Sequence, residues 1–522
     1  MVKFLDNNSG FNQWNANKNA EKRKSPLRSM LWWFVIFVAA WWAVGLFISP
    51  KNEKTDVAGS VADSVDISAV PSSVISGDEI TARVQGLRIS DIKLSGVPAD
   101  NGTDIVTLLP NSGGFAEIGL LSSGTPAPTA ATVWQEKNGA YRWRNSDGVD
   151  FTRRVSVDGY LITISDEIKN NTKRDVAFTP YSRIVRENNI KSSAGVKTGA
   201  IAYVNGDVEY NDWRDMDKKS YAYSTTNGFA GFADQYWETI VSIARPDQTI
   251  RVKKNSDKYQ ADVSAGAVIV APGASEIIET NIFAGPRDQK ILGTAAEKIA
   301  GADSTIDYGW FWFLARPMLW ALNGINAVVM NYGVAIIILT ILLRLLMWPL
   351  TRKSYTSMIA MQEMQPEMAR IQKLYANDKA HLQMEMMRLY QTHKTSPMSG
   401  CLPMLIQIPI FFALYKALLV SVQMRSAHFL WISDLAAMDP YFILPILMGA
   451  TMWLQSYLQS GTQKSGANKN DPLAQTQKVM KWMPVLFTIM FAWMPAGLVL
   501  YWTVSSAFGI LQMYLIKYRE KK

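Results

Sequence analysis

Apolar positions along this 522-residue chain follow two rhythms. Residues 30–49 (MLWWFVIFVAAWWAVGLFIS) are uncharged, and 20 residues suffice for a helix across about 30 Å of hydrocarbon. The other long apolar runs all follow residue 307: 334–350, 402–423, 441–458 and 482–516. The last is uncharged for 35 residues, too long for one span. Met494-Pro495-Ala496-Gly497 divides it into two helices of a tight hairpin. Six transmembrane helices are therefore expected. Residues 308–331, rich in Trp310, Trp312, Phe313 and Trp320 with a single Arg316, read as an amphipathic helix lying in the interface.

From about residue 78 to 285 the rhythm changes to period two. Arg154–Val157 and Tyr160–Ile164 flank Asp158-Gly159, and Ala202–Val204 and Asp207–Tyr210 flank Asn205-Gly206. Both are hairpin signals. A large antiparallel β-sandwich follows as the expectation, with a short helix around 295–300 leading back to the membrane. The fold class is thus a polytopic α-helical membrane protein carrying an extracytoplasmic antiparallel β-sandwich domain.

Charge orients these parts. The net charge is +9, but residues 51–307 hold 28 basic and 34 acidic groups (net −6), leaving 25 and 10 elsewhere (net +15). Lys3, Lys18, Lys22, Arg23, Lys24 and Arg28 precede the first span against Asp6 and Glu21, which puts the N-terminus in the cytoplasm. A cleaved signal peptide is the alternative, but the apolar core is long and no A-x-A site follows. Every later loop agrees with the positive-inside rule. The layout is a basic extension 1–29, an anchor 30–49, a tether 50–77, a periplasmic domain 78–307 and the interfacial helix 308–331. Spans at 332–351, 401–424, 441–459, 479–495 and 498–516 follow. They enclose a cytoplasmic hairpin 352–400, a periplasmic loop 425–440 and a cytoplasmic loop 460–478, before a cytoplasmic tail 517–522. Composition agrees: 19% charged residues is below the quarter or so of a soluble chain, and a lone Cys401 excludes a disulfide scaffold.

Chemistry is sparse. The β-rich segment has no His, and its carboxylates look scattered over a solvated surface. The chain holds no G-x-S-x-G, H-E-x-x-H, P-loop or G-x-G-x-x-G, so binding is favoured over catalysis, with no cofactor or metal. Arg344 is the most informative residue. It lies about six residues, roughly 9 Å, inside its span. No Asp or Glu occurs in any span to neutralise it. Facing lipid would cost it at least about 2.5–3.5 kcal/mol. It either snorkels to the headgroups or faces a water-filled cavity, where it would attract negative charge. Thr340 lies one turn away on the same face. Gln407, Gln455 and Ser505, on three other spans, are candidates for the same cavity or simply for interhelical hydrogen bonds. Lys416, toward the outer end of its span, is expected to snorkel outward.

The segment 352–400 reads as two helices, 353–375 and 379–391, around Ala376-Asn377-Asp378. Met358, Met361, Met364 and Met368 recur on the first, and Met384 and Met387 on the second. The stripe is either a seam or a soft surface for varied apolar peptides.

These residues carry a resemblance. AIIILTILLRLLMWPLTRKSYTSM, MSGCLPMLIQIPIFFALYKAL, DPYFILPILMGATM and MPAGLVLYW resemble, nearly collinearly over about 308–518, the YidC family of bacterial membrane protein insertases. The β domain behind a first anchor looks like the Gram-negative form. The resemblance implies five core helices around a hydrophilic groove open to cytoplasm and lipid. It implies that the family's arginine is Arg344, its substrate-contacting threonine Thr340 and its aromatic pair Tyr501 and Trp502. It further implies that the hairpin receives nascent membrane proteins, alone or beside the SecYEG translocon and associated Sec factors, in the inner membrane. Membrane lipids are partners, DNA is not, and ribosome contact stays open. The basic extension 1–29 is longer than such members usually have, and the tail after Ile516 is short for ribosome binding. Trp502 stands where a tyrosine is common, keeping the ring and losing the hydroxyl. A secondary transporter and an envelope carbohydrate-binding protein or enzyme are the alternatives. The transporter would show repeated halves and acidic residues in its spans, and neither is visible.

Overall fold

The computed structural model describes residues 65–98, 105–187, 196–375, 378–393, 402–460 and 472–520. The expected anchor 30–49, the extension before it, Ala376-Asn377 and residues 461–471 lie outside these. The chain divides into a β-rich unit (53–320 with 412–425) and a helical unit (321–411 with 426–522 and the first 52 residues).

The β-rich unit is built from two antiparallel sheets. One runs from Ser72–Ser76 through Ile80–Gln85, Arg88–Pro98, Phe115–Leu121, Val176–Arg186, Lys258–Ser264 and Gln248–Asn255 to Tyr221–Thr225. The other runs from Asp207–Asn211 through Gly199–Val204, Phe229–Ala233, Trp237–Ile243, Ser275–Pro286, Leu161–Asn170 and Val149–Asp158 to the short strands Ala140–Arg144 and Gln135–Lys137. Alternation sets which side chains are inside. On Val149–Asp158, Val149 and Phe151 are buried while Arg154 is exposed. Ile92, Ile118, Phe151, Ile162, Phe178, Phe232, Val241 and Ile282 belong to one core drawn from both sheets. At the hairpin Val204↔Asp207, Asn205 (φ 52°) and Gly206 (φ 101°) both take the positive φ of a type I′ loop. At the other hairpin Asp158 pairs with Leu161, so the loop is Gly159-Tyr160, one residue later than its sequence suggests.

Two expectations need correction in this unit. The helix placed at 295–300 is α2, Gln289–Ala295; the four-residue α1 is Trp213–Met216. Asp288 caps α2 by accepting from the N–H groups of Lys290 and Ile291, which sets its start earlier. The carboxylates are not all solvated. Glu117 lies between Arg88 (2.8 Å) and Arg183 (3.0 Å), Asp166 meets Arg153 at 2.7 Å and Glu238 meets Arg287 at 3.3 Å, all buried. Their partners come from other strands or, for Arg287, from just beyond the end of one, so spacing along the chain conceals the pairs.

In the helical unit, α3 is Trp312–Val329, its first half belonging to the β-rich unit. Asn331 caps α4, Tyr332–Leu346, by accepting from Val334 N–H. The expected second span does not continue straight. It bends by 65° into α5, Trp348–Glu363. Pro349 has no N–H, and its ring crowds the carbonyl four residues back, which favours a kink or break at this point. The expected first hairpin helix is likewise broken, with α6, Gln365–Leu374, restarting at Pro366. Then come α7, Lys379–Thr392, capped by Asp378; α8, Leu402–Val420; α9, Ile443–Ser460; α10, Pro472–Phe491; and α11, Ala496–Glu520. Helix α10 starts inside the expected loop 460–478, taking Lys478 into a helix. The α11 helix packs against α4 and α9, and α9 against α10. Among the described residues, Ala496–Arg519 is long and apolar enough to cross a membrane alone, and Tyr332–Leu346 with Trp348–Met361 qualifies as a bent pair.

The loop before α9 ties one end of this bundle. Buried Asp439 accepts from Trp431 Nε1 (3.1 Å), Tyr441 N–H (3.1 Å) and Leu444 N–H (2.7 Å). The carbonyls of Ala437 and Leu435 accept from the N–H groups of Ala496 and Gly497 at the start of α11.

Candidate functional site

Helix α11 carries Tyr501 and Ser505 four residues apart, hence on one face, in a segment uncharged from Ala496 to Ile516. That face meets α4 and α8. Arg344 Nε donates to Ser505 Oγ at 2.8 Å, and Gln407 Nε2 donates to Tyr501 Oη and, at 3.3 Å, to Ser505 Oγ. Tyr501 and Ser505 are buried; Arg344 and Gln407 are half-buried.

Among the described residues no carboxylate lies within ion-pairing distance of Arg344. Its neighbours are a hydroxyl, an amide and a phenol, none of which carries compensating charge. A guanidinium keeps its proton under all ordinary conditions, so the site has a fixed positive charge. Of its five N–H bonds only that on Nε has a partner among the described residues; the Nη groups are not sealed in. They remain available to an incoming acceptor, and a carboxylate would gain most from them.

The other sequence candidates fall elsewhere. Thr340 is buried, 1% exposed, and donates to its own helix at Ile336 O (2.6 Å), so its hydroxyl is not presented to a cavity as expected. Trp502, about 100° round the helix from Tyr501, joins an aromatic cluster with Phe411 (5.2 Å between centroids), Phe491 (5.3 Å) and Phe487 (5.9 Å). Gln455 lies over the backbone of Gly509, where a Cβ would come within 3.3 Å of its Nε2, and not at Arg344. The methionine stripe splits: Met364 and Met368 are buried and Met361 half-buried, whereas Met384 and Met387 are 58% and 55% exposed. It is neither one seam nor one open surface.

Sequence reasoning missed Gln512, fully buried on α11, whose Nε2 donates to the main-chain carbonyl of Arg344 at 3.2 Å. Its place seven residues after Ser505 was the available signal. Lys416, expected to snorkel, pairs with Asp307 at 3.2 Å within the β-rich unit. Burial alone would raise the Asp307 carboxyl, but Lys416, Lys197 and the Gly309 N–H outweigh it and hold it below the usual carboxylate range. Among the described residues no group of three or more His, Cys, Asp or Glu side chains converges to hold a metal.

Known proteins match this architecture along its length. The family described as "YidC periplasmic domain" matches residues 74–321, and that described as "60Kd inner membrane protein" matches 324–522. The membrane protein insertase YidC of Magnetococcus marinus is 38% identical over 427 residues, covering 77% of this chain and 74% of its own. That of Rickettsia bellii is 34% identical over 524 residues, covering 91% of each. That of Methylobacillus flagellatus is 37% identical over 423 residues, covering 77% and 74%. None of these relatives bears a transporter or carbohydrate-related name. The chain belongs to the YidC family of membrane protein insertases.

Proposed function

We propose that this insertase passes the polar end of a nascent inner-membrane protein through a groove centred on Arg344 and releases the apolar segment sideways into lipid. The observation that carries this reading is a guanidinium held by Ser505 with no carboxylate beside it among the described residues. An acidic segment entering the groove exchanges part of its hydration for Arg344, so the cost of leaving water falls. Helix α4 supports the same idea by its length. Its 15 residues rise roughly 22 Å, against about 30 Å of hydrocarbon, and a short span thins the bilayer around it. Burial of the apolar segment in lipid then drives the step, with no nucleotide and no covalent chemistry.

In this reading α4, α8, α9, α10 and α11 are five core spans and residues 30–49 a sixth, with both termini cytoplasmic and the β-sandwich periplasmic. The exposed Met384 and Met387 of the hairpin receive the incoming apolar segment. Ser505 holds the arginine and Gln407 braces Ser505, while buried Thr340 and Tyr501 line the groove only once it opens. Trp502 offers an aromatic face, and Gln455 belongs to the packing of α9 on α11. Assistance in folding, alone or beside the Sec translocon, belongs to the same cycle.

Charge reversal tests it. Arg344→Glu, reconstituted in liposomes, is expected to abolish insertion of a test protein with an acidic tail while sparing one with a basic tail. Equal insertion of both by the variant and the parent chain sinks the attraction role.

A further inference from the structure

Gln512 and Ser505 are seven residues apart on α11, two turns along one face. Ser505 holds the guanidinium of Arg344, and Gln512 holds its main-chain carbonyl. That carbonyl belongs to the last turn of α4, where the final four C=O groups have no partner within the helix. It also sits at the 65° bend into α5, where Pro349 withholds an N–H.

The orientation of the amide follows from its partner. A carbonyl only accepts, so Nε2 must point at Arg344 and Oε1 away from it. Oε1 is then buried with no hydrogen-bond partner among the described residues. Leaving a buried acceptor unpaired is costly. A methionine of the same length would fill this site without that cost, and the only thing it would lack is the donor to Arg344. We infer that Gln512 is a positioning residue, which fixes the end of α4 so that the Arg344 guanidinium is aimed from the bend toward Ser505 and the entering acidic group. The inference rests on the attraction role of Arg344 proposed above.

The test compares two single-span proteins, identical except for an acidic or a neutral tail, inserted by the full chain in liposomes. Gln512→Met is expected to lower acidic-tail insertion about fivefold relative to neutral-tail insertion, the factor carried by one hydrogen bond of about 1 kcal/mol. Its melting temperature should be unchanged or higher, which a merely structural glutamine would not allow. Gln512→Asn, whose amide falls one bond short, should show the same selectivity loss should the methionine variant fail to fold. A parallel fall of both substrates with a lowered melting temperature overturns the inference, and so does an unchanged ratio. Arg344→Ala separates the two ideas. If it lowers the ratio and the Gln512 variants do not, only the positioning role fails. If it leaves the ratio unchanged, the attraction role fails first.

Discussion

Arg344 and Ser505, 161 positions apart in sequence, meet through a 2.8 Å hydrogen bond, and Ser505 Oγ accepts from Gln407 as well. One hydroxyl thus joins three helices, α4, α8 and α11, around a fixed charge. A hydrogen bond to a charged group is worth more than a neutral one, about 1.5–3 kcal/mol. Ser505→Ala removes the acceptor and leaves Arg344 Nε and the Gln407 amide to find other partners. We expect insertion of an acidic-tailed substrate to fall about tenfold or more, since roughly 1.4 kcal/mol is one decade. Ser505→Thr, which keeps the hydroxyl, should stay close to the parent chain. Insertion kinetics in liposomes read this directly; an alanine variant as fast as the parent would show that the bond is incidental.

Gly333 near the start of α4 has a different task, that of leaving room. A Cβ there would lie 2.1 Å from Phe429 Cδ2 and 2.6 Å from its Cβ, closer than atoms can approach. Phe429 cannot swing freely, because its backbone pairs both ways with Ile432 in the loop before α9. Gly333→Ala is expected to destabilise the chain by about 1–3 kcal/mol, the usual cost of overpacking. Gly333→Ala with Phe429→Gly should cost less than the two single changes added, because only with both the ring and the Cβ of residue 429 gone is the collision removed. Thermal unfolding in detergent distinguishes the cases. Additive losses in the double variant would mean that the two residues do not touch.

Much of this architecture was legible in the residues. Alternation and the Asn205-Gly206 turn announced the antiparallel sheets, because a half-buried strand imposes period two on its sequence. Arg344 stood out because a charge in an apolar run always requires an explanation. What stayed hidden depends on pairing between distant segments. Nothing in the local pattern tells Glu117 that Arg88 and Arg183 will flank it, or Lys416 that Asp307 will be its partner. Thr340 misled because i, i+4 spacing gives a face but not the direction of a hydroxyl, which here turned back on Ile336. Gln512 was overlooked because it lies beside the basic tail, where a polar side chain looks solvated.

Two buried carboxylates, Glu117 and Glu238, have pKa values that move in opposite directions, and that difference fixes how each makes stability respond to pH. Glu117 is pushed up by burial, but Arg183 and Arg88 outweigh it and hold it low, so its contribution is present at neutral pH and is lost only in acid. Glu238 behaves in the opposite way. Burial pushes it from 4.5 up to about 7, with Arg287 and the Thr305 hydroxyl only partly opposing. The folded chain therefore holds a proton there between those values that the unfolded chain has already released. Its stabilising effect is complete below pH 4.5 and is lost as pH rises through about 7. A proton held over that interval is worth on the order of 3 kcal/mol. Glu238→Gln, which mimics the protonated side chain, should flatten that slope. From below the unfolded value to about pH 8 the parent chain is expected to lose about 3 kcal/mol relative to the variant, read as the difference between two denaturation series. Parallel curves across this window would mean that Arg287 keeps Glu238 ionised in the folded state throughout, and the burial-driven rise would be wrong.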